Sequence, residues 1–281
     1  MGGLEIMRLN QFIARHSKYS RREADNLIAQ GRVNIQKSKA QLGVEVHEGE
    51  RVFIDGKMLK PKKEFTTIIY HKPKGELVTK RDDRGRRTIF DSLEKKFAHF
   101  TPIGRLDFAS EGLILLSDSI EVVHALMHSS LQREYILKLN GKITEEMIEA
   151  MENGLVLEDA RAGGHEKSAI DSMEFKPFDF YSIYKSDSKF SKLKVRISEG
   201  KNRELRRFFA HFKAEVLDLR RVAYGWVELH ALPVGKSRYL TREEYRKLHA
   251  FLKEGEGVRV AEMGDKQESN KGRGSKRDKR G

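Results

Sequence analysis

An α+β protein in two parts is predicted, and three observations predict it. Apolar residues at three- and four-residue spacing near the N-terminus give a small helical module within residues 1–60. After a polar, proline-led linker at 61–66, the chain from 67 to 254 intersperses β-branched or alternating runs with single short helices, the pattern of a larger sheet domain. The last part, 255–281, is expected to be a disordered basic tail. Its residues 264–281 carry seven Lys or Arg, three acids, four Gly and no aliphatic or aromatic residue, so they cannot bury a core.

With 281 residues, 38 % of them hydrophobic and 35 % charged, the chain is long enough for one large or two smaller cores. Its 55 Lys and Arg outnumber 42 Asp and Glu, a formal charge of +13. Such a surface attracts polyanions, although a plain solubilising surplus has the same composition. The absence of cysteine excludes a disulfide framework, a thiolate zinc site and a cysteine nucleophile, and fits a reducing compartment. No apolar run approaches the ~18 residues that a membrane span needs, and Met1 to Arg8 lacks the apolar core of a secretion signal. A cytoplasmic protein with no membrane attachment is expected.

In the first module, Leu9, Phe12 and Ile13 mark one helix. Ala24, Leu27 and Ile28 mark a second, opened by Ser20 three residues before Glu23, the spacing of a capping box, and ended by Gly31. Val33 to Ile35, Val44 to Val46 and Arg51 to Lys57, with a turn at Asp55-Gly56, read as short strands. Residues 8–60 hold 11 Lys or Arg against 6 acids, and Arg8, Arg15, Lys18, Arg21, Arg22 and Arg32 all fall in the helical half. They make either a solvated helix surface or a face that grips phosphates.

Thr66 to His71 opens the second part as a β-branched strand, stopped by the turn residues of Lys72-Pro73-Lys74-Gly75. Arg81, Arg84, Arg86 and Arg87 surround Gly85 in a basic loop. Leu113 to Leu116 is an apolar run of strand length, suited to a strand covered on both faces. Ile120 to Met127 has helical spacing, Arg133 to Leu139 alternates like a half-buried strand, and Thr144 opens a helix that Asn153-Gly154 closes. Ser168 to Phe175 and Leu193 to Ile197 are further strands, with a long connection over 177–190 between them. Glu199 to Phe209 has the glycine start and spacing of a helix, with Leu205, Phe208, Phe209 and Phe212 facing the core and the arginines on the rim.

The stretch Pro102 to Asp118 sets charge directly before the buried run. Gly104 and Gly112 bracket Arg105, Asp107 and Glu111 on a turn-rich loop that enters a rigid strand, an arrangement able to hold a reactive carboxylate. An Asp between glycines also commonly closes a turn or caps a helix, and the loop alone does not choose between these roles. Two other patterns fail on chemistry. His124 and His128 stand four residues apart with no Glu after His124 and no cysteine nearby, so no metal site is expected. Gly235-Lys236-Ser237 has His230 where a phosphate loop needs its first glycine, so no nucleotide cofactor is expected.

The string Gly-Arg-Leu-Asp-x-x-Ser-Glu-Gly-Leu-x-Leu-Leu, Gly104 to Leu116, resembles the signature of the pseudouridine synthases, in the branch similar to RsuA and RluB that modifies ribosomal RNA. Further motifs carry the same resemblance: Lys-Pro-x-Gly-x-x-x-Thr from Lys72 to Thr79, Tyr135 in a Lys-x-Tyr position, and Glu-Gly-x-Asn-Arg-Glu-x-Arg-Arg from Glu199 to Arg207. The run from Leu219 to Thr241 matches the family's closing strands. In the first module, Arg-Leu-Asn-x-Phe-Ile-Ala from Arg8, Ser-Arg-Arg-Glu-Ala-Asp-x-Leu-Ile from Ser20 and Gly-Arg-Val-x-Ile from Gly31 resemble the αL RNA-binding fold of a small-subunit ribosomal protein. Ala109, Ser119 and Arg133 depart from the pattern, Arg133 replacing Lys with a different geometry of charge.

What the resemblance implies is a mixed, mainly antiparallel sheet in the second part and isomerisation of specific uridines in ribosomal RNA. The Asn-Arg-Glu-Leu-Arg-Arg wording resembles large-subunit enzymes more than small-subunit ones. Asp107 would be the catalytic carboxylate, Arg206 its charge partner and Tyr135 the ring against the target base. Arg105, Leu205, Lys72 and Arg203 fall within the matched motifs and are expected at the substrate. Ribosomal RNA or a pre-ribosomal particle is the implied partner, gripped through Arg8, Arg15, Lys18, Arg21, Arg22 and Arg32, with a monomeric chain and no cofactor.

Such an isomerisation needs one carboxylate, because the detached uracil is itself the group that returns; hydrolysis by water would call for a pair. Asp107 would attack the sugar or take a proton from it, and both routes stay open. Two rivals carry the same sequence features: a non-catalytic RNA-binding or ribosome-assembly factor with this fold, and a DNA-binding regulator suggested by charge alone.

Overall fold

The computed structural model describes residues 7–17, 19–47, 49–60, 65–164 and 169–254. They divide into two compact units: 7–65 with 119–125 and 241–254, and 66–118 with 126–240. The expected tail, positions 61–64 of the linker, and Lys18 lie outside the described residues.

In the first unit a short strand β1 (Met7–Arg8) leads into helices α1 (Leu9–His16) and α2 (Arg21–Ala29). Ser20 accepts from the Glu23 backbone N–H while the Glu23 carboxylate accepts from that of Ser20, so two donors without helical partners are met at the start of α2. Five strands follow: β2 (Val33–Ile35), β3 (Ser38–Lys39), β4 (Glu45–Val46), β5 (Val52–Ile54) and β6 (Lys57–Met58). β4 pairs with β1, and the others form an antiparallel sheet in the order β3-β2-β5-β6. Leu9, Ile13, Ala24, Leu27, Ile28, Val33 and Val52 make its core, matching the spacing read from the sequence. A helix over 242–254 belongs to the same unit.

The second unit is built on β7 (Thr67–Lys72), β8 (Thr101–Ile103), β9 (Glu111–Ser117), β10 (Arg133–Asn140), β11 (Leu155–Leu157), β12 (Met173–Phe175), β13 (Phe180–Ser186), β14 (Phe190–Ile197), β15 (Val216–Tyr224), β16 (Val227–Glu228) and β17 (Ser237–Tyr239). Helices α3 (Ile89–Ser92), α4 (Ile120–Met127), α5 (Glu145–Asn153) and α6 (Glu204–His211) lie between them in sequence. The main sheet runs β13-β14-β10-β15-β9-β7-β17, with β8 and β16 attached to β9 and β15. Every pairing in it is antiparallel except β9 with β15, so the sheet is mixed and mainly antiparallel, and the fold is α+β. That parallel contact has two register pairs, Arg220 with Glu111 and Arg221 with Gly112. β9 is buried from Gly112 to Ser117, as an unbroken apolar run in a central strand requires.

Three expectations change. The connection over 177–190 contains β13, an edge strand whose residues are mostly exposed; Tyr181 packs against the core, but Phe180, Ile183 and Tyr184 are exposed, so no hydrophobic alternation reveals it. Of the strand expected over Ser168 to Phe175, Ser168 lies outside the described residues and, from 169 on, the strand is Met173–Phe175. Arg207 is not on the rim of α6 but fully buried, because its guanidinium satisfies the carbonyls of Asn202, Ala160 and Ile170. Leu205, Phe208 and Phe209 face the core as the spacing implies.

Candidate active site

The loop between β8 and β9 turns at Gly104, whose backbone is left-handed (φ 73°), and closes on a hydrogen bond from the Ser110 N–H to the Asp107 carbonyl. It is held from behind by Lys72, the last residue of β7. The Lys72 ammonium is fully buried and donates to the carbonyls of Pro73 (2.9 Å), Asp107 (3.1 Å) and Ser110 (2.8 Å). Burial lowers its pKa from 10.5 to about 8, against the pull of Glu76, Asp107 and Glu111. The Gly75 N–H donates to Phe108 O at 2.7 Å, fixing the same loop at a second point. Lys72, expected at the substrate, therefore touches the back of the loop and is absent from the cleft lining. Its three donors are consumed by backbone carbonyls, the one at Asp107 shared with the Ser110 N–H.

α6 brings the cations. Arg203, immediately before it, adopts a left-handed backbone (φ 52°, ψ 30°), a conformation costing a non-glycine residue ~1–2 kcal/mol. Its Nε donates to Gly163 O at 2.7 Å and its Nη1 lies 3.4 Å from Asp107 Oδ2. Arg206 Nε lies 3.5 Å from the same oxygen, while Nη1 donates to Val216 O and Nη2 to Ser110 Oγ. The Arg206 Nε is buried with no hydrogen-bond acceptor of its own. Burial pulls the Arg206 pKa down, as does neighbouring Arg203, and Asp107 opposes both. Asp107, 30 % exposed, is thus a carboxylate flanked by two guanidiniums and still open to a ligand.

Asp107, Arg206, Arg203, Arg105, Leu205 and Tyr135 line one cleft of the second unit. Tyr135 stands on the buried face of β10, in line with Leu137 and Leu139, and Arg105 is exposed. The cleft also holds residues that sequence reasoning did not single out as site residues: Ser110, Glu204, Arg221 and Tyr224. Arg133, noted for its departure from Lys, donates to Ser198 O and to Tyr224 Oη with its guanidinium over the Tyr224 ring. Glu204 accepts from the Lys201 N–H, and burial pushes its carboxyl up to about 7. Ser110 and Glu204 lie inside the quoted motifs, so proximity to Asp107 and Arg203 was the available signal; Arg221 had only its place in a closing strand.

In the first unit Arg8, Arg21 and Arg22 are exposed and available to anions. Arg32 is exposed but held in a two-point pair with Asp55 (2.8 and 2.6 Å), and Arg15 pairs with Glu121.

These features match known proteins. Residues 66–211 match the model of the RNA pseudouridylate synthase family. The chain belongs to that family. Residues 7–52 of this synthase match the S4 domain. A Helicobacter pylori protein described as an uncharacterized RNA pseudouridine synthase is 58 % identical over 248 residues, covering 88 % of the chain and 95 % of the relative. The Bacillus subtilis ribosomal large subunit pseudouridine synthase B is 30 % identical, covering 89 % and 99 %. A solved structure described as a crystal structure of pseudouridylate synthase aligns with a TM-score of 0.57 at 26 % identity, over 86 % of the chain and 99 % of that structure.

Proposed function

We propose that this synthase converts uridine to pseudouridine in large-subunit ribosomal RNA, with Asp107 as the catalytic carboxylate. The observation that carries the reading is the Asp107 carboxylate between two guanidiniums, at 3.4 and 3.5 Å, on a cleft walled by Tyr135. Two adjacent cations, Arg203 and Arg206, orient the Asp107 carboxylate whether it attacks the sugar or takes its proton. The substrate nucleotide leaves its stack and rests against Tyr135, with Leu205 on the same cleft; exposed Arg105 fills the space the base vacates. Arg8, Arg21 and Arg22 grip phosphates independently of sequence. The relatives named for large-subunit RNA support that target, and in this reading the protein acts in the cytoplasm as a monomer.

Asp107→Asn tests the assignment. Pseudouridine formation on large-subunit rRNA should fall by at least about 10²–10⁴-fold, the span for a positioned acid or base, while RNA affinity stays unchanged. An active Asp107→Asn enzyme would remove Asp107 from the chemistry. Mapping pseudouridines in both ribosomal RNAs with and without the protein identifies the target and separates the enzyme from a non-catalytic assembly factor.

A further inference from the structure

Arg221 sits in the cleft with an unmet donor. It is 3 % exposed, its Nε donates to Leu113 O at 2.7 Å, and its buried Nη2 has no hydrogen-bond partner among the described residues. Leaving a buried guanidinium N–H unpaired is costly, and proteins rarely tolerate it without a ligand or a function. Its position is set by the sheet. Arg221 is the register partner of Tyr135 on β10 and of Gly112 on β9, so it stands between the aromatic wall and the strand that continues from the Asp107 loop. Side chains of register partners on one face lie about 5 Å apart. Tyr135, Tyr224 and Arg221 line the same cleft, with the Arg221 guanidinium 5.5 Å from the Tyr224 ring centroid, so a planar ring resting on Tyr135 shares the cleft with this guanidinium.

We propose that Arg221 is a further catalytic residue, donating a hydrogen bond from Nη2 to a carbonyl oxygen of the uracil as it detaches. The inference rests on the uridine-isomerising reading above. In the step concerned the C1′–N1 bond breaks and its electron pair leaves with N1, so the free ring carries one negative charge spread over N1, O2 and O4. Arg221 stabilises that charge without giving up its proton. When C5 then bonds to C1′, the C5 proton departs and N1 regains one, so the product is an isomer and nothing is oxidised or reduced. A donor already in place and shielded from water acts most strongly where charge develops, and losing one such donor costs ~10²–10³ in rate. The uracil is favoured over a backbone phosphate because Arg221 shares the cleft with the aromatic side chains of Tyr135 and Tyr224, whereas Arg203 and Arg206 are the cations grouped at Asp107.

The test pairs variants with altered bases at the mapped uridine. Arg221→Gln and Arg221→Lys are expected to lower single-turnover pseudouridine formation ~10²-fold or more, with RNA affinity and melting temperature near wild type. RNAs carrying 2-thiouridine or 4-thiouridine at the target replace one carbonyl oxygen with sulfur, a poor acceptor. One of the two should slow the wild-type enzyme at least 10-fold, as about ~1.4 kcal/mol implies, and slow the Arg221 variants no further. Wild-type rates in either variant, or equal sensitivity of wild type and variants to both thio bases, would overturn the inference while leaving the isomerase reading intact. A wild-type enzyme that forms no pseudouridine in any ribosomal RNA would overturn that reading itself. If Arg221→Gln does not fold, the thio-base comparison between wild type and Arg221→Lys still decides.

Discussion

Replacing Gly112 with alanine tests how the sheet positions the cleft. Gly112 has φ 121°, and a Cβ built there would lie 2.2 Å from the Arg221 carbonyl oxygen, 2.6 Å from its nitrogen and 2.9 Å from its carbonyl carbon. All three atoms are backbone of β15, the partner in the sheet's parallel contact, so no side chain can swing away. Reaching ordinary contact at about 3.4 Å requires β9 and β15 to part by about 1 Å. Overpacking of this kind costs ~1–3 kcal/mol, occasionally more, and the backbone conformation adds ~1–3 kcal/mol for any residue but glycine. A total near ~4 kcal/mol lowers the melting temperature by ~8–16 °C at this size. It also moves Arg221 and Tyr135 away from the Asp107 loop. The assay is thermal unfolding followed by circular dichroism, beside single-turnover pseudouridine formation on the mapped RNA. Gly112→Ala with an unchanged melting temperature and full activity would refute the claim that this glycine exists to let β15 approach.

The remaining predictions concern Lys72 and the N-terminal module. Lys72→Met takes a donor from three backbone carbonyls, of which Asp107 O keeps the Ser110 N–H, and relief of the buried charge, worth about 3 kcal/mol from a pKa lowered to about 8, offsets only part of the loss. Activity should fall ~10-fold or more through a loosened Asp107 loop, measured as kcat with RNA affinity unaffected. The wild-type rate should decline as pH rises through about 8, because a neutral amine has two donors for three carbonyls. Stability moves the other way. Between pH 8 and the unfolded value near ~10.4 the unfolded chain binds more protons at this group, so its contribution to unfolding free energy rises with pH. An alkaline limb that is identical in wild type and Lys72→Met would exclude Lys72 as its source. Arg21→Ala with Arg22→Ala should weaken binding to a structured rRNA fragment and reduce the slope of log affinity against log salt by ~1–2; a slope equal to wild type would show that neither residue meets a phosphate.

Much of the fold was legible because local rules and the tertiary structure agree. The capping box at Ser20 and Glu23, the unbroken run from Leu113 to Leu116 and the alternation from Arg133 to Leu139 each specify an element through nearest neighbours and one covered face. β13 escaped because an edge strand with most of its apolar side chains exposed has no such pattern to display. The residues gathered at the cleft were legible for another reason, since Asp107, Tyr135 and Arg206 sit inside extended motifs.

What the linear order determined by itself is the fold class, the two-part arrangement, the charge and which residues to look for at the cleft. Tertiary structure alone decided their use. Arginines four positions apart, one just before α6 and one within it, reach different fates, Arg203 beside a carboxylate and Arg207 buried on carbonyls, and Lys72 faces the back of the loop whose front it was expected to serve. The physical reason is that satisfying a long cationic side chain depends on which carbonyls and carboxylates other strands bring within about 3 Å, and pairings across 35 or 47 residues of chain leave no local trace.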